Sequence, residues 1–176
     1  MLTTQRTFIR PIQPSDSEPI FRYRSDAMTN KYQGFIPKTL QEVDDFIATN
    51  PTEINQKNTW FQLVIIEKIT NQIIGDIGIH FIGNDGFQCE IGCTLDKNYH
   101  GKGLATETLH AVISYLFKDL NKHRIVTSID PENISSIRLV ERLGFRKEGH
   151  FKKSLFINGE WVDDVIYALL GEEFLR

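Results

Sequence analysis

The sequence is poor in cysteine and offers no spacing typical of a metal site. Its two cysteines, Cys89 and Cys93, stand in the same short apolar stretch. A strand advances about 3.3 Å per residue, so the two thiols would lie roughly 13 Å apart, too far for a disulfide. Two buried free thiols fit a reducing compartment such as the cytoplasm. The five histidines are scattered, and we predict no bound metal.

Long hydrophobic runs and an excess of positive charge are also missing. No apolar run approaches the roughly 20 residues of a membrane-spanning helix, and the first residues do not resemble a signal peptide. The net charge is −3, with 20 basic and 23 acidic residues. We therefore predict no general affinity for nucleic acid or for an anionic membrane, and a cytoplasmic location.

What is present suffices for one folded domain, which we predict to span residues 1–176. The chain is 40% hydrophobic, with no internal repeat, low-complexity tract or linker. Short strand patterns and helical patterns follow one another in an order that predicts an α+β fold with three layers. A strand, a helix and a second strand near Arg124 indicate one parallel strand pair within a mixed, mostly antiparallel sheet that packs with about four helices.

The stretch from Cys89 to Phe117 organises the rest of the chain. Apolar and polar residues alternate up to Leu95, as in a strand with one buried face, and the last part has helical spacing. Between them lies a turn that contains Gly101 and Gly103. A helix N-terminus exposes free N–H groups, and residues without Cβ let a ligand approach them. This joint predicts an anion site, most naturally for phosphate, unless the glycines serve only a tight turn.

Two common phosphate-binding loops do not match this turn. A P-loop would need a Ser or Thr directly after Lys102 and an earlier glycine. The dinucleotide-binding pattern G-x-G-x-x-G fails at Thr106, which stands where the third glycine belongs.

Three motifs instead resemble the GNAT superfamily of acetyltransferases, in the right order and over essentially the whole chain. The turn is similar to the pyrophosphate-binding pattern Q/R-x-x-G-x-G/A of that superfamily. The second motif is similar to its N-x-x-S…L-G-F segment. The third motif and the start of the chain are similar to the branch that contains the ribosomal-protein N-terminal (alanine or serine) acetyltransferases. The matching segments are His100-Gly-Lys-Gly-Leu-Ala105, Asn133-Ile-Ser-Ser136 with Leu143-Gly144-Phe145, Asn158-Gly-Glu-Trp161-Val-Asp163 with Tyr167, and Phe8-Ile-Arg-Pro11.

The resemblance implies a GNAT-like fold with a splayed central strand pair, acetyl-CoA as donor and an amine as acceptor. We expect the acceptor to be a protein N-terminal α-amine, as the resembling branch suggests, or a small molecule such as a polyamine, an aminoglycoside or an amino sugar. A non-catalytic acyl-CoA-binding module and a transferase for longer acyl groups remain alternatives. The resemblance also allows a homodimer, which the sequence leaves open.

The same resemblance assigns the cofactor to the turn, to the end of the central strand and to one asparagine. The turn would hold the pyrophosphate mainly through backbone N–H groups, although His100 stands where the family has Gln or Arg. The strand end would pair with the pantetheine arm. The residues predicted to bind the cofactor are Cys93, Thr94, Leu95, His100, Gly101, Lys102, Gly103, Leu104, Ala105, Thr106 and Asn133.

Two residues are candidates for the catalytic chemistry. The resemblance makes Ser136 the group that protonates or hydrogen-bonds the departing thiolate. Glu90, on the polar face of the central strand, is a candidate base for the amine, directly or through a water. Alternative interpretations are that Asn133 only caps a helix with Ser136 in its first turn, and that Glu90 is structural. We interpret His80 as a surface or packing residue.

Overall fold

The computed structural model describes residues 1–83, 85–157 and 159–176 of the chain. It shows an eight-stranded sheet with the order β1-β2-β3-β4-β5-β6-β8-β7. The elements in chain order are β1 (Leu2–Thr3), β2 (Thr7–Pro11), α1 (Ser17–Arg24), α2 (Leu40–Ala48), β3 (Trp60–Glu67), β4 (Ile73–Ile82), β5 (Gln88–Leu95), α3 (Leu104–Lys118), β6 (Arg124–Ile129), α4 (Ile134–Arg142), β7 (Arg146–Ile157), β8 (Glu160–Leu170) and α5 (Gly171–Phe174).

The predicted mixed and mostly antiparallel sheet is confirmed. Every pair of neighbouring strands is antiparallel except β5 and β6, which run parallel and are connected through α3. The short β1 and the four-residue α5 were not predicted, because neither is long enough to carry a periodic pattern. The sequence pattern also predicts hairpin turns at 83–86 and 158–159, and these turns include Asn84 and Asn158, which lie outside the described residues.

Two hydrophobic clusters lie on opposite faces of the sheet and give the predicted three layers. Neighbouring residues of β3 show the division, because Leu63 and Ile65 belong to the larger cluster and Val64 to the smaller one. The larger cluster packs the sheet against α3 and α4, and the smaller cluster packs it against α1 and α2. Among the described residues, no helix is both long and apolar enough to span a membrane.

The parallel pair β5–β6 separates after a short contact. Pairing runs only from Gln88 opposite Arg124 to Glu90 opposite Val126. Beyond Glu90, β5 stays paired with β4 as far as Leu95, but its other edge has no partner strand among the described residues. The splay that the family resemblance implied is therefore present, and it opens a cleft beside the second half of β5.

Each end of α4 is set by one residue of the second motif. Asn133 is the N-cap of the helix, and its side-chain oxygen accepts a hydrogen bond from the Ser136 N–H at 3.2 Å. At the other end Gly144 has a φ of +92°, the left-handed conformation that commonly ends a helix. A glycine directly after a helical pattern predicts a helix end from the sequence alone, and this stop is confirmed. Strand β7 begins two residues later.

Candidate active site

The glycine turn presents bare backbone at the start of α3. Gly101 and Gly103 have φ values of +74° and +75°, a region in which a side chain is strained by roughly 1 kcal/mol or more. Apart from Gly101 itself and its two chain neighbours, the described residues place no atom within 4 Å of the position that a Cβ on Gly101 would occupy. Gly103 is the N-cap of α3, and the next residue, Leu104, is buried in the core and fixes the start of the helix. We call residues His100–Thr106 the cradle.

The cradle is fastened to the end of β5. The His100 ring donates from Nε2 to the Leu95 carbonyl oxygen at 2.8 Å, which fixes the proton on that nitrogen. Just before the turn, the Asp96 side chain accepts a hydrogen bond from the Asn98 N–H at 2.9 Å. Histidine at the first motif position thus has a clear role here, because it ties the turn to the strand. Lys102 places its ammonium over the Tyr99 ring, 5.0 Å from the ring centre.

The cleft between β5 and β6 is a cavity of about 100 Å³. Three of the residues predicted from the sequence line it, namely Cys93, Asn133 and Ser136. Tyr32, from the segment after α1, lines it as well, and the Tyr32 hydroxyl donates to the Glu132 carbonyl oxygen at 3.3 Å. The segment after α1 therefore forms one wall of the cleft.

Asn133 and Ser136 combine a structural position with access to the cleft. The capping interpretation of Asn133 is confirmed, but the cap uses only its side-chain oxygen, so the amide nitrogen can still donate to a ligand. Within the described residues the Ser136 hydroxyl has no hydrogen-bond partner, although the side chain is half-buried in the cleft. A hydroxyl in this position can donate a proton or a hydrogen bond to a group bound there.

Glu90 lies where the splay begins, two residues before Gly92, which lines the cleft. Burial raises the pKa of its carboxyl; the nearby Asp164 raises it further, whereas His80 lowers it. His80 is the cross-strand partner of Glu90, with its Nδ1 3.9 Å from Oε2. The His80 ring also stacks on Trp60, with 4.9 Å between ring centres. A partly buried carboxylate with a raised pKa is a stronger base than an ordinary one.

The comparisons with known proteins decide the family. Residues 6–146 match the family model described as "Acetyltransferase (GNAT) domain". The chain belongs to the GNAT family of acetyltransferases. It is 34% identical to the uncharacterised N-acetyltransferase YnaD of Bacillus subtilis strain 168, over 98% of both chains.

Other GNAT proteins agree in sequence and in fold. A [ribosomal protein uS5]-alanine N-acetyltransferase of Escherichia coli K12 is 34% identical over 66% of this chain and 61% of its own length. A solved GNAT-family acetyltransferase from Bacillus anthracis superposes with a TM-score of 0.88 at 31% identity, covering 98% of this chain and 99% of its own. The chain is accordingly an N-acetyltransferase with the GNAT fold.

The strand end of this GNAT protein departs from a simple alternation. Thr94, on the face expected to be polar, is buried, and its hydroxyl has no hydrogen-bond partner among the described residues. Burial raises the pKa of the Cys93 thiol to about 12, so it stays protonated at neutral pH and is a poor nucleophile. Both cysteines are free, as expected, but only Cys89 is fully buried, because Cys93 lines the cleft and is half-buried.

The cradle side chains divide between the core and the surface. Leu104 can offer a ligand only its backbone, since its side chain is buried. Ala105 and Thr106 are half-buried, and the Thr106 hydroxyl accepts a hydrogen bond from Arg142 at 3.3 Å. In the described part of the chain, no group of three His, Cys, Asp or Glu side chains converges as metal ligands would.

Sequence reasoning missed two residues near the site. The interpretation of His80 as a surface or packing residue was incomplete, because its ring lies beside Glu90. Arg6, which contacts the cradle, stands 94 residues before His100 in a segment with no recognised motif. The register of β4 against β5 would have revealed His80, but alternation in one strand carries no register.

Proposed function

We propose that this GNAT protein moves the acetyl group of acetyl-CoA directly to a primary amine. The observation that carries the proposal is the edge of β5 beyond Glu90, which has no partner strand in the described part of the chain, opens onto the cleft and leads to the bare cradle. An extended pantetheine arm can pair with such a free edge, and a diphosphate suits the N–H groups of a helix N-terminus.

The cofactor-binding roles follow from this placement. The backbone of the cradle holds the diphosphate, and Lys102 adds a mobile positive charge beside it. The edge from Cys93 to Leu95 pairs with the pantetheine arm, and the Asn133 amide nitrogen donates to the same arm. These roles rest mainly on backbone groups, which is why the substitution of His100 for Gln or Arg is tolerated.

In the reaction itself, a bond forms between the acetyl carbon and the amine nitrogen, and the bond from that carbon to the CoA sulfur breaks. The amine nitrogen attacks the thioester carbonyl, giving a tetrahedral oxyanion that collapses with loss of the CoA thiolate. Glu90 accepts the proton that the amine loses, directly or through a water, and its raised pKa suits this role. Ser136 protonates or hydrogen-bonds the departing sulfur, and no covalent enzyme intermediate is formed.

The acceptor we favour is the α-amine of a protein N-terminus. An α-amine has a pKa of about 7.7–8.0, so a fair fraction is neutral at cellular pH and a modest base suffices. The Escherichia coli relative that acts on an alanine of ribosomal protein uS5 supports this choice. A small-molecule amine is the second candidate, because the half-exposed Glu90 would serve it equally well.

An acceptor panel tests the proposal. Purified protein is mixed with acetyl-CoA and, separately, with a peptide that begins with alanine, the same peptide acetylated at its N-terminus, spermidine, kanamycin and glucosamine. CoA thiol release is followed, and mass spectrometry locates the acetyl group. We expect transfer to the free α-amine and none to the blocked peptide. Faster transfer to a small amine would reassign the acceptor, and tight acetyl-CoA binding without thiol release to any amine would contradict enzymatic transfer.

A further inference from the structure

We propose that Arg6 is a positioning residue for cofactor binding, which sets both the backbone direction and the charge of the cradle. This inference rests on the proposed function, since it concerns the same diphosphate. Arg6 lies between β1 and β2, and α3 lies across the larger core cluster from the sheet to which these strands belong. Its contacts connect the N-terminal segment to the cradle and to the first turn of that helix.

Arg6 makes three hydrogen bonds across this gap. Its Nη1 donates to the Lys102 carbonyl oxygen at 2.8 Å. Its Nε donates to Glu107 Oε2 at 2.6 Å, and its backbone N–H donates to Glu107 Oε1 at 2.8 Å. The guanidinium therefore bridges a backbone carbonyl of the cradle and a carboxylate in the first turn of α3.

The contact with the Lys102 carbonyl fixes the direction of a neighbouring N–H group. The peptide bond is planar, and in a trans peptide the carbonyl of one residue points opposite to the N–H of the next. With the Lys102 oxygen held by Arg6, the Gly103 N–H points away from the guanidinium. A Cβ on Gly103 would lie 3.5 Å from Arg6 Nη2, so Arg6 also covers one side of the turn. The side of the turn that faces away from Arg6 is therefore the one open to the diphosphate.

Arg6 also neutralises a charge that would oppose the cofactor. Glu107 lies one turn from the backbone groups that would bind the diphosphate, and two negative charges at that distance repel each other. Burial raises the pKa of Glu107, but hydrogen bonds from Thr4 and Arg6 outweigh it and leave the pKa lowered, so the carboxylate is ionised at neutral pH. Paired with Arg6, it strengthens the helix start without repelling the ligand.

The backbone around Arg6 is itself held in place. The Arg6 carbonyl accepts a hydrogen bond from the Lys68 N–H at 2.9 Å. The next residue, Thr7, is fully buried, and its hydroxyl lies 3.1 Å from the hydroxyl of Thr108 on α3. Arg6 is therefore a fixed support between the sheet and the cradle, which a mobile surface arginine would not provide.

Calorimetric titration with acetyl-CoA tests the assignment in Arg6→Gln, Arg6→Lys and the control Arg146→Gln. Arg146, on the edge strand β7, pairs with Glu148 of the same strand and with Glu173 of α5. Its side chain is 45% exposed, against 43% for Arg6. We expect Arg6→Gln to raise the Kd about tenfold. The Kd of Arg6→Lys should lie between those of Arg6→Gln and the unmutated protein, because one ammonium cannot contact both the Lys102 carbonyl and Glu107 as the guanidinium does.

Two further readouts separate positioning from general stability. The kcat at saturating acetyl-CoA should stay within about twofold while the KM for acetyl-CoA rises, and the Tm should fall no more than in Arg146→Gln. An unchanged Kd in Arg6→Gln would overturn the inference while leaving the proposed function intact. Failure of the unmutated protein to bind acetyl-CoA would overturn the proposed function and this inference with it.

The double variant Arg6→Gln/Glu107→Gln tests the charge component. If Arg6 acts partly by neutralising Glu107, removing the carboxylate should recover part of the lost affinity, and raising the salt concentration should narrow the gap between Arg6→Gln and the unmutated protein. The charge component would be overturned if Arg6→Gln lost the same acetyl-CoA affinity whether or not Glu107 was present, and if that loss did not depend on salt.

Discussion

The cofactor cradle and the group around Glu90 are built in opposite ways. The cradle is one run of seven residues whose working groups are backbone N–H groups, and two left-handed glycines and a helix start define its shape. The Glu90 group gathers side chains from four strands, with Trp60 on β3, His80 on β4, Glu90 on β5 and Asp164 on β8. A site made of local backbone can be recognised as a motif in the sequence, whereas a site made of side chains from distant strands cannot.

This difference predicts different sensitivities. The cradle should tolerate changes of its outward side chains but not an added side chain at the glycines. The Glu90 group should depend on the identity of each side chain and on pH. The following variants test the contrast, from the largest expected effect to the smallest.

Gly101→Glu should weaken acetyl-CoA binding about a hundredfold or more, close to 3 kcal/mol. The new side chain enters the open space above the turn and brings a negative charge to the diphosphate site. Titration calorimetry gives the Kd directly.

Gly86→Glu is the matched control for this change. Gly86 has the same φ of +74°, and beyond its chain neighbours the described residues place no atom within 4 Å of an added Cβ there, but it lies in the turn before β5. Both variants should therefore lose similar stability in denaturant unfolding, roughly 1–2 kcal/mol. Equal acetyl-CoA affinity in the two variants would contradict the assignment of the cradle.

Ser136→Ala should lower kcat about tenfold or more while changing the Kd for acetyl-CoA little. The hydroxyl faces the cleft and is not part of the Asn133 cap, so its loss spares the helix. Ser135→Ala provides the comparison, because Ser135 is exposed in the same helical turn. If both alanine variants turned over at the unmutated rate, a role for Ser136 in the chemistry would be excluded.

Glu90→Gln should slow transfer about tenfold near neutral pH, a modest loss because an α-amine is already partly neutral. Glu90 acts as a base only when ionised, so the rate should rise with pH through its pKa, which lies above the usual value of 4.5. This rise is the acidic limb of the pH–rate profile. The glutamine variant should lack it and show only the rise that comes from ionisation of the amine. A pH–rate profile that is the same in both proteins would remove Glu90 from the mechanism.

His80→Ala should produce the smallest change, a shift of the acidic limb toward higher pH. His80 lowers the pKa of Glu90, so removing the ring lets the pKa rise further. The pH–rate profile of the variant should keep its shape. At pH values above the acidic limb, its rate should stay within about threefold of the rate of the unmutated protein. A limb that moved to lower pH would show that the interaction between the two residues has the opposite sign.

The sequence was informative wherever structure depends on local pattern. The central strand, the glycine turn and the stop at Gly144 all reappear near their predicted positions, although the alternation of β5 holds only as far as Ile91. The cradle, Asn133 and Ser136 could be placed because each belongs to a short motif beside a helix start. Their roles in binding and catalysis remain predictions that the variants above address.

What escaped prediction depends on pairing between distant segments. The position of His80 beside Glu90 follows from the register of β4 against β5, and the contact of Arg6 with Lys102 joins residues 96 positions apart. Thr94 is buried opposite Asp76 of β4, which accepts hydrogen bonds from Tyr23 and Arg24 of α1, and no alternation within β5 reveals that setting. Such contacts become visible only once the chain has been folded into its sheet.

A crystal structure of the protein with bound CoA tests the central claim most directly. We predict that the diphosphate oxygens lie about 3 Å from backbone nitrogens of the cradle, with the pantetheine arm along the free edge of β5. A diphosphate bound elsewhere, or a cradle filled by protein side chains in the complex, would contradict the account.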